Sequence, residues 1–502
     1  MKKIAMILAA AALAFTACQD PEEKLPVIDV KMTSFVFKAS ENASLNNDVE
    51  GTISETAVSV VLPYGTDVTA LVPAIEVSDD ATISINDAPY VAGTPIDFTT
   101  PVDFLVSANA KSNKLYTVTC TEATPVSFTK VAETVASVIS GGPVMEINPK
   151  NNLPYFVTLN KVPSGTSTMN VPVLFGYNGA GTIDSLAVLS EFKADGQTLA
   201  FGVDGTAYSS FYENGKKTSV VKYDGTTVSY LGESQSIVKC NTSQSNANGL
   251  CVFGPNDIYL ASFSNAAGSS IARRDLNLCH WDGTDWTQEI GIPGRASGTY
   301  AYANVFASAA GKTYLMIYNQ NKHDVSLYSF AAGKAGVEST LVENLKLKNP
   351  QGEEATSINL YSPTMTVGPD GKIYLLFAAN YVTGAAYEYS PAVTVYNPAT
   401  GESSLLGGVM TDIDISKSRT MDIAISPDGL PYVVYASSDD ASNPMLRYFD
   451  KKTYQWSDPV KLSEDEADEV NIAFAANGVG YVSYSNETND SLVVMQDTAS
   501  LE

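Results

Sequence analysis

Arginine and histidine are nearly missing from this chain, and the two shortages narrow its chemistry. Only five arginines occur in 502 residues: Arg273, Arg274, Arg295, Arg419 and Arg447. A site in which several guanidinium groups clamp an anion is therefore excluded. The two histidines, His280 and His323, leave no multi-histidine metal centre and no histidine-based triad. Basic side chains number 30 against 55 acidic ones, and no Lys/Arg cluster follows the first three residues. A nucleic-acid binder displaces counterions with a basic surface, so nucleic acid is ruled out as a partner, and the net charge of -25 disfavours strongly anionic ligands. Phosphate-binding glycine loops and nucleophile elbows are absent too. Beyond Cys18 the cysteines are Cys120, Cys240, Cys251 and Cys279, with no C-x-x-C spacing to suggest a metal site. Cys240 and Cys251 bracket a polar loop; they either pair or serve as small buried apolar residues. No metal and no cofactor is expected.

What is present describes an ordinary folded protein, 44% apolar and 17% charged, long enough for two to four domains. Lys2 and Lys3 precede an apolar run from Ile4 to Phe15 that is too short to span a bilayer, which marks a processing signal. Phe15, Thr16, Ala17 and Cys18 resemble a bacterial lipobox. That resemblance implies a signal peptide over 1–17 and a lipidated Cys18, the alternative being a plain secretory signal with an incidental cysteine. Gln19, Asp20, Pro21, Glu22 and Glu23 fall in an acidic tether over 18–24. The tether resembles the signal that sends Bacteroidota lipoproteins to the outer leaflet of the outer membrane; a merely solvated linker is the other reading.

Residues 25–123 contain short alternating segments divided by turns, including Met32 to Phe37, Val58 to Leu62, Phe104 to Ala108 and Tyr116 to Cys120. Many short strands without a helical stripe predict a β-sandwich. Ser34 to Phe37, Val49 to Ile53, Leu62 to Val68, Asp97 to Thr99 and Tyr116 to Val118 together resemble an immunoglobulin-like domain of undefined function. That domain sits behind the lipid anchor in many Bacteroidota surface lipoproteins and usually acts as a spacer.

From 124 to 502 an internal repeat dominates: an apolar segment, a turn, then a tyrosine opening a second apolar segment. The tyrosines are Tyr155, Tyr208, Tyr259, Tyr314, Tyr374, Tyr432 and Tyr481, at a mean period of about 54 residues. Strand signals at that period predict a β-propeller of seven four-stranded blades, with six or eight as the fallback. The whole chain is thus expected to be all-β: an immunoglobulin-like β-sandwich followed by a seven-bladed β-propeller. The last repeat lacks a fourth strand, and Val126 to Val131 is expected to supply it, closing the ring. Trp286 and Trp456 open equivalent fourth strands and read as structural; Trp281 either packs or contacts ligand.

Motifs for chemistry are scarce. Pro369-Asp370-Gly371 and Pro427-Asp428-Gly429 recur at a tight turn, which favours backbone conformation over calcium or acid/base work. The acidic run Glu464 to Glu469 reads as a solvated loop rather than a calcium site, and Asp412 with Asp414 as exposed rather than a working pair. On a propeller, the connections from strand two to three and from strand four to the next strand one share one end. The first group holds Tyr212, Asn319, Asn380 and Tyr381, and the second holds Tyr300, Tyr302, Tyr361 and Arg419. Tyrosines that stack and amides that match hydroxyls make this a ligand-binding end for a neutral small molecule or glycan. The other reading is that the asparagines end strands and the tyrosines pack between blades. The expected function is a surface-anchored protein capturing a glycan or other nutrient for an outer-membrane transporter, attached to the membrane by its lipid only. The alternative is a glycoside hydrolase or polysaccharide lyase acting on an extracellular polysaccharide. Its two carboxylates would come from distant blades and leave no motif. A weaker third option is a protein-interaction scaffold.

Overall fold

The computed structural model describes residues 27–502 apart from 136–138, 140, 214–216, 235–237, 240–248, 264–275, 290–300, 310, 320–321, 335, 360–362, 382–388, 416–420, 438–439 and 499–502. The described residues are all-β and contain no α-helix. They divide into two compact units, Met1–Leu62 with Thr66–Glu122 and Pro63–Gly65 with Ala123–Glu502.

The first unit has two sheets around one core. Three antiparallel strands, in the order Val49–Glu50, Met32–Phe37 and Pro73–Val77, form the smaller sheet. The larger is six-stranded, and in it Ala57–Leu62 runs parallel to Ser112–Glu122. Alternation sets which face is buried: Val58, Val60 and Leu62 point inward while Ala57, Ser59 and Val61 are exposed. Phe35, Phe37, Phe98 and Phe104 fill the core, with Phe35 and Phe37 edge-on at 5.3 Å. Each fully buried phenylalanine contributes roughly 2–3 kcal/mol of transfer free energy.

The second unit contains, among the described residues, seven antiparallel sheets in chain order. Sheet one is typical, with strands Gly141–Asn148, Leu153–Ser164, Ser167–Tyr177 and Ile183–Val188 pairing in sequence. The second strand of sheet five, Ile373–Asn380, is covered on both faces and reads as a nearly unbroken apolar run, with every residue buried. Each of the seven repeat tyrosines lies on the second strand of its own sheet. The Pro-Asp-Gly runs are turns between first and second strands. Gly371 and Gly429 stand at φ 74° and 81°, the left-handed region where a side chain is strained, and Asp370 accepts the Lys372 N–H at 3.1 Å.

First strands of successive sheets touch, and that of sheet seven, Ala467–Phe474, touches Gly141–Asn148 of sheet one, so the contacts form a cycle. Polar stitches reinforce this inner ring. The Asn471 amide donates to the Pro143 carbonyl at 3.1 Å and the Gln197 amide to the Gly142 carbonyl at 2.9 Å. Further out, Trp286 Nε1 donates to the Leu231 carbonyl at 2.7 Å and Trp456 Nε1 to the Leu406 carbonyl at 3.0 Å. Each tryptophan thereby ties its sheet to the one before, the structural use its position suggested. Trp281 packs: it is 7% exposed and donates to the Pro255 carbonyl.

Sheet seven takes its outer strand from the other end of the unit. Phe128–Glu133, two residues later than the segment expected to do so, pairs antiparallel with Ser491–Asp497. Glu133 secures the joint by accepting from Ser491 Oγ at 2.6 Å, Lys130 Nζ at 2.9 Å and Asn489 Nδ2 at 3.1 Å. Burial raises its carboxyl, but these donors overcome that and hold it down to about 2.

Candidate functional site

The first strands of all seven sheets surround a cavity of about 750 Å³. These strands are mostly apolar, yet three of them place a carboxylate in the ring, Glu146 from sheet one, Asp422 from sheet six and Glu469 from sheet seven. Asp422 is tethered. Its Oδ1 accepts the Ile423 N–H at 2.8 Å and the Thr364 hydroxyl at 3.3 Å, and its Oδ2 accepts the Ile472 N–H at 3.0 Å. It therefore bridges the first strands of sheets five and seven. Burial in the ring raises its carboxyl to about 6 against these hydrogen bonds.

Glu146 differs. Its side chain is open to the cavity, but protein surrounds it, and no hydrogen bond to its carboxylate is found among the described residues. Desolvation and the neighbouring Asp422 charge raise it to about 7. Two carboxyls that titrate near neutrality can exchange protons with a bound molecule, and that is the chemistry this arrangement offers. Glu469 borders the same space. It adopts φ 49°, and its carboxylate lies over Gly142, where a Cβ would come within 1.5 Å of Oε2. Only glycine fits at 142.

Among the described residues no three His, Cys, Asp or Glu groups are placed to hold a metal ion. Asp412 and Asp414 serve separate contacts, the first pairing with Arg447 and the second accepting the Tyr389 N–H at 2.9 Å. Cys251 is free and buried, whereas Cys240 lies outside the described residues.

The ligand-binding residues expected from the sequence have mixed fates. Asn319 and Asn380 end second strands and Tyr212 is the penultimate residue of one, so the topology puts them at the same end of their sheets. Tyr212 is fully buried within the core. Asn319, 3% exposed, accepts the Lys322 N–H at 3.3 Å, a turn-forming bond, and Asn380 is 6% exposed. Tyr381 is half-buried against the core, and burial pushes its phenol up to about 12. Tyr302 stands opposite Tyr318 in the first strand of sheet four. The side chain of Tyr302 lies outside the described residues, as do Tyr300, Tyr361, Arg419 and Cys18 with its tether. Sequence reasoning missed Glu146 and Asp422. The available signal was an acidic residue interrupting the apolar first strand of a repeat.

Comparison with known proteins gives one informative match. Residues 39–120 fit the family described as SGBP, N-terminal, the N-terminal domain of surface glycan-binding proteins. The match supports a surface glycan-binding protein of the Bacteroidota type. No curated protein matches the chain. Among solved structures, an α-L-arabinanase from Penicillium chrysogenum complexed with arabinobiose superposes with a TM-score of 0.41 at 11% identity, covering 74% of this chain and 98% of that one. An α-L-arabinofuranosidase from Fusarium graminearum gives 0.39 at 10% identity over 62% and 94%. The Aleuria aurantia lectin gives 0.36 at 12% identity over 67% and 96%. Superpositions this loose carry no argument about fold or function.

Proposed function

We propose that this chain is a surface-anchored glycan-binding protein. The match of residues 39–120 to the N-terminal domain of surface glycan-binding proteins carries the reading. In this proposal the first unit is an immunoglobulin-like spacer, and the seven sheets of the second are the blades of a propeller. The contact cycle among first strands supports that blade count. Cys18 carries the lipid at the outer membrane, and the captured glycan passes to an outer-membrane transporter.

Ligand meets the end where two-to-three and four-to-one connections gather, with Tyr300, Tyr302, Tyr361, Tyr381, Arg419, Asn319 and Asn380 around it and Tyr212 packed behind. A shortage of cations on an acidic surface suits a neutral sugar. A glycan array on the purified chain tests this: binding should appear and should weaken in Tyr302→Ala and Tyr381→Ala, and a ligand indifferent to both overturns the site. Cys18→Ala should release the protein from the outer membrane. The raised carboxyls of Glu146 and Asp422 favour a second reading, hydrolysis in the cavity. Reducing-end release that Glu146→Gln abolishes would establish it.

A further inference from the structure

We propose that Phe192 is a stacking platform for a sugar ring and that the buried Glu213 is the positioning residue that holds it in place. The proposal rests on the glycan-binding reading and names part of its site. Phe192 sits in the short connection between Ile183–Val188, the last strand of sheet one, and Ala194–Asp195, which opens sheet two. This is a four-to-one connection, at the end already assigned to ligand. Leu189 and Ser190 are buried at 3% and 4% exposure, and the chain then emerges as Glu191, Phe192 and Lys193. Among the described residues of the second unit, the strongly exposed aromatics are Phe192 at 45% and Tyr454 at 62%. Tyr454 lies between the third and fourth strands of sheet six, at the opposite end.

A lone exposed apolar side chain is ordinary. What distinguishes Phe192 is how its backbone is held. Ser190 Oγ accepts the Phe192 N–H at 3.0 Å and donates to Glu213 Oε1 at 2.5 Å. The same carboxylate accepts Tyr230 OH at 2.6 Å, Ser219 Oγ at 2.7 Å and Ser234 Oγ. These donors come from strands three and four of sheet two and from the connections on both sides of it. One carboxylate, 1% exposed, thus fixes the loop that carries Phe192 to the body of the sheet. Burial would raise the Glu213 carboxyl, but the four hydroxyls hold it below its ordinary range, so the hub stays charged and closed at neutral pH.

Function follows from preorganisation. A ring on a rigid loop has already lost the freedom that binding would otherwise remove, so contact with the apolar face of a sugar gives more net affinity. Glu191 and Lys193 flank it with opposite charges, which leaves the spot electrically neutral.

Affinity electrophoresis of the full chain through gels containing arabinan, xylan, mannan, laminarin or starch tests both roles. At least one polysaccharide should retard the wild type. Phe192→Ala should weaken that binding roughly tenfold without moving the melting temperature, since the ring is exposed. Phe192→Trp should restore it and show an emission shift on titration with the same polysaccharide. Ser190→Ala should weaken it less, through the freed loop. Retardation of Phe192→Ala equal to wild type overturns the platform and leaves the glycan reading standing. A wild type that none of the five retards overturns that reading, and this proposal with it. Ser190→Ala binding like wild type while Phe192→Ala fails overturns the positioning role alone.

Discussion

Glu213 and Glu146 stand on neighbouring sheets and have opposite acidities. Glu213 is 1% exposed and its carboxyl is held low, while Glu146 opens onto a cavity and is raised to about 7. Desolvation by the surrounding protein pushes both carboxyls up, because burial penalises charge. The difference is donors: Glu213 collects four hydroxyls that overcome its desolvation, whereas at Glu146 desolvation is unopposed and the like charge of Asp422 adds to it. A carboxylate saturated with hydrogen bonds is a structural joint, whereas one facing space and a second acid keeps a proton to exchange.

The largest effect that would test this contrast comes from Glu213→Ala. It removes the common acceptor of four side chains, of which Ser190 and Ser219 are fully buried, and should cost about 3 kcal/mol in urea unfolding. The contribution also has a pH signature. Because the folded carboxyl lies below its ordinary value, its stabilisation is complete above the unfolded value of 4.5 and is lost as pH falls through the folded one. Acid unfolding should therefore be less steep in Glu213→Gln than in wild type. Equal steepness would mean that the hydroxyls do not sense the charge.

The same contrast explains what the sequence could reveal. Repetition made the strands visible: seven tyrosines at near-equal spacing fall on seven successive second strands because each repeat solves the same packing problem. The all-β character followed from alternation, as in Ala57–Leu62. The carboxylates were not visible, because their meaning depends on partners remote in the chain. Asp422 meets Ile472 and Thr364, and Glu146 faces Asp422 only because the ring brings sheets one and six together. Asn319 shows another limit. Ending a strand with an amide is equally good turn chemistry and ligand chemistry, and its bond to Lys322 is of the first kind.

A smaller effect is expected at Asp422. Alanine there removes the bridge between the first strands of sheets five and seven, leaving the Ile472 N–H and the Thr364 hydroxyl without that acceptor. The cost should be about 2 kcal/mol at pH 5, measured by denaturant unfolding. Losing the neighbouring charge should also lower the Glu146 carboxyl, which carbon-detected NMR titration can follow. If Glu146 titrates unchanged, the two acids are not coupled.

Glu146→Gln should give the smallest change, and with the opposite sign. The folded carboxyl at about 7 exceeds the unfolded value of 4.5, so between those values the folded state binds more protons than the unfolded one. Stability from this group is therefore highest below pH 4.5, declines as pH rises toward 7, and stays at its low level above. Glutamine cannot ionise and escapes the decline. In a dry site a shift of this size would be worth about 3 kcal/mol. The side chain faces open space, so screening reduces this to about 1 kcal/mol of added stability in the variant at pH 8, and to nothing at pH 4. Melting curves at the two pH values decide it: a variant no more stable than wild type at pH 8 would place Glu146 with Glu213, as a satisfied structural acid.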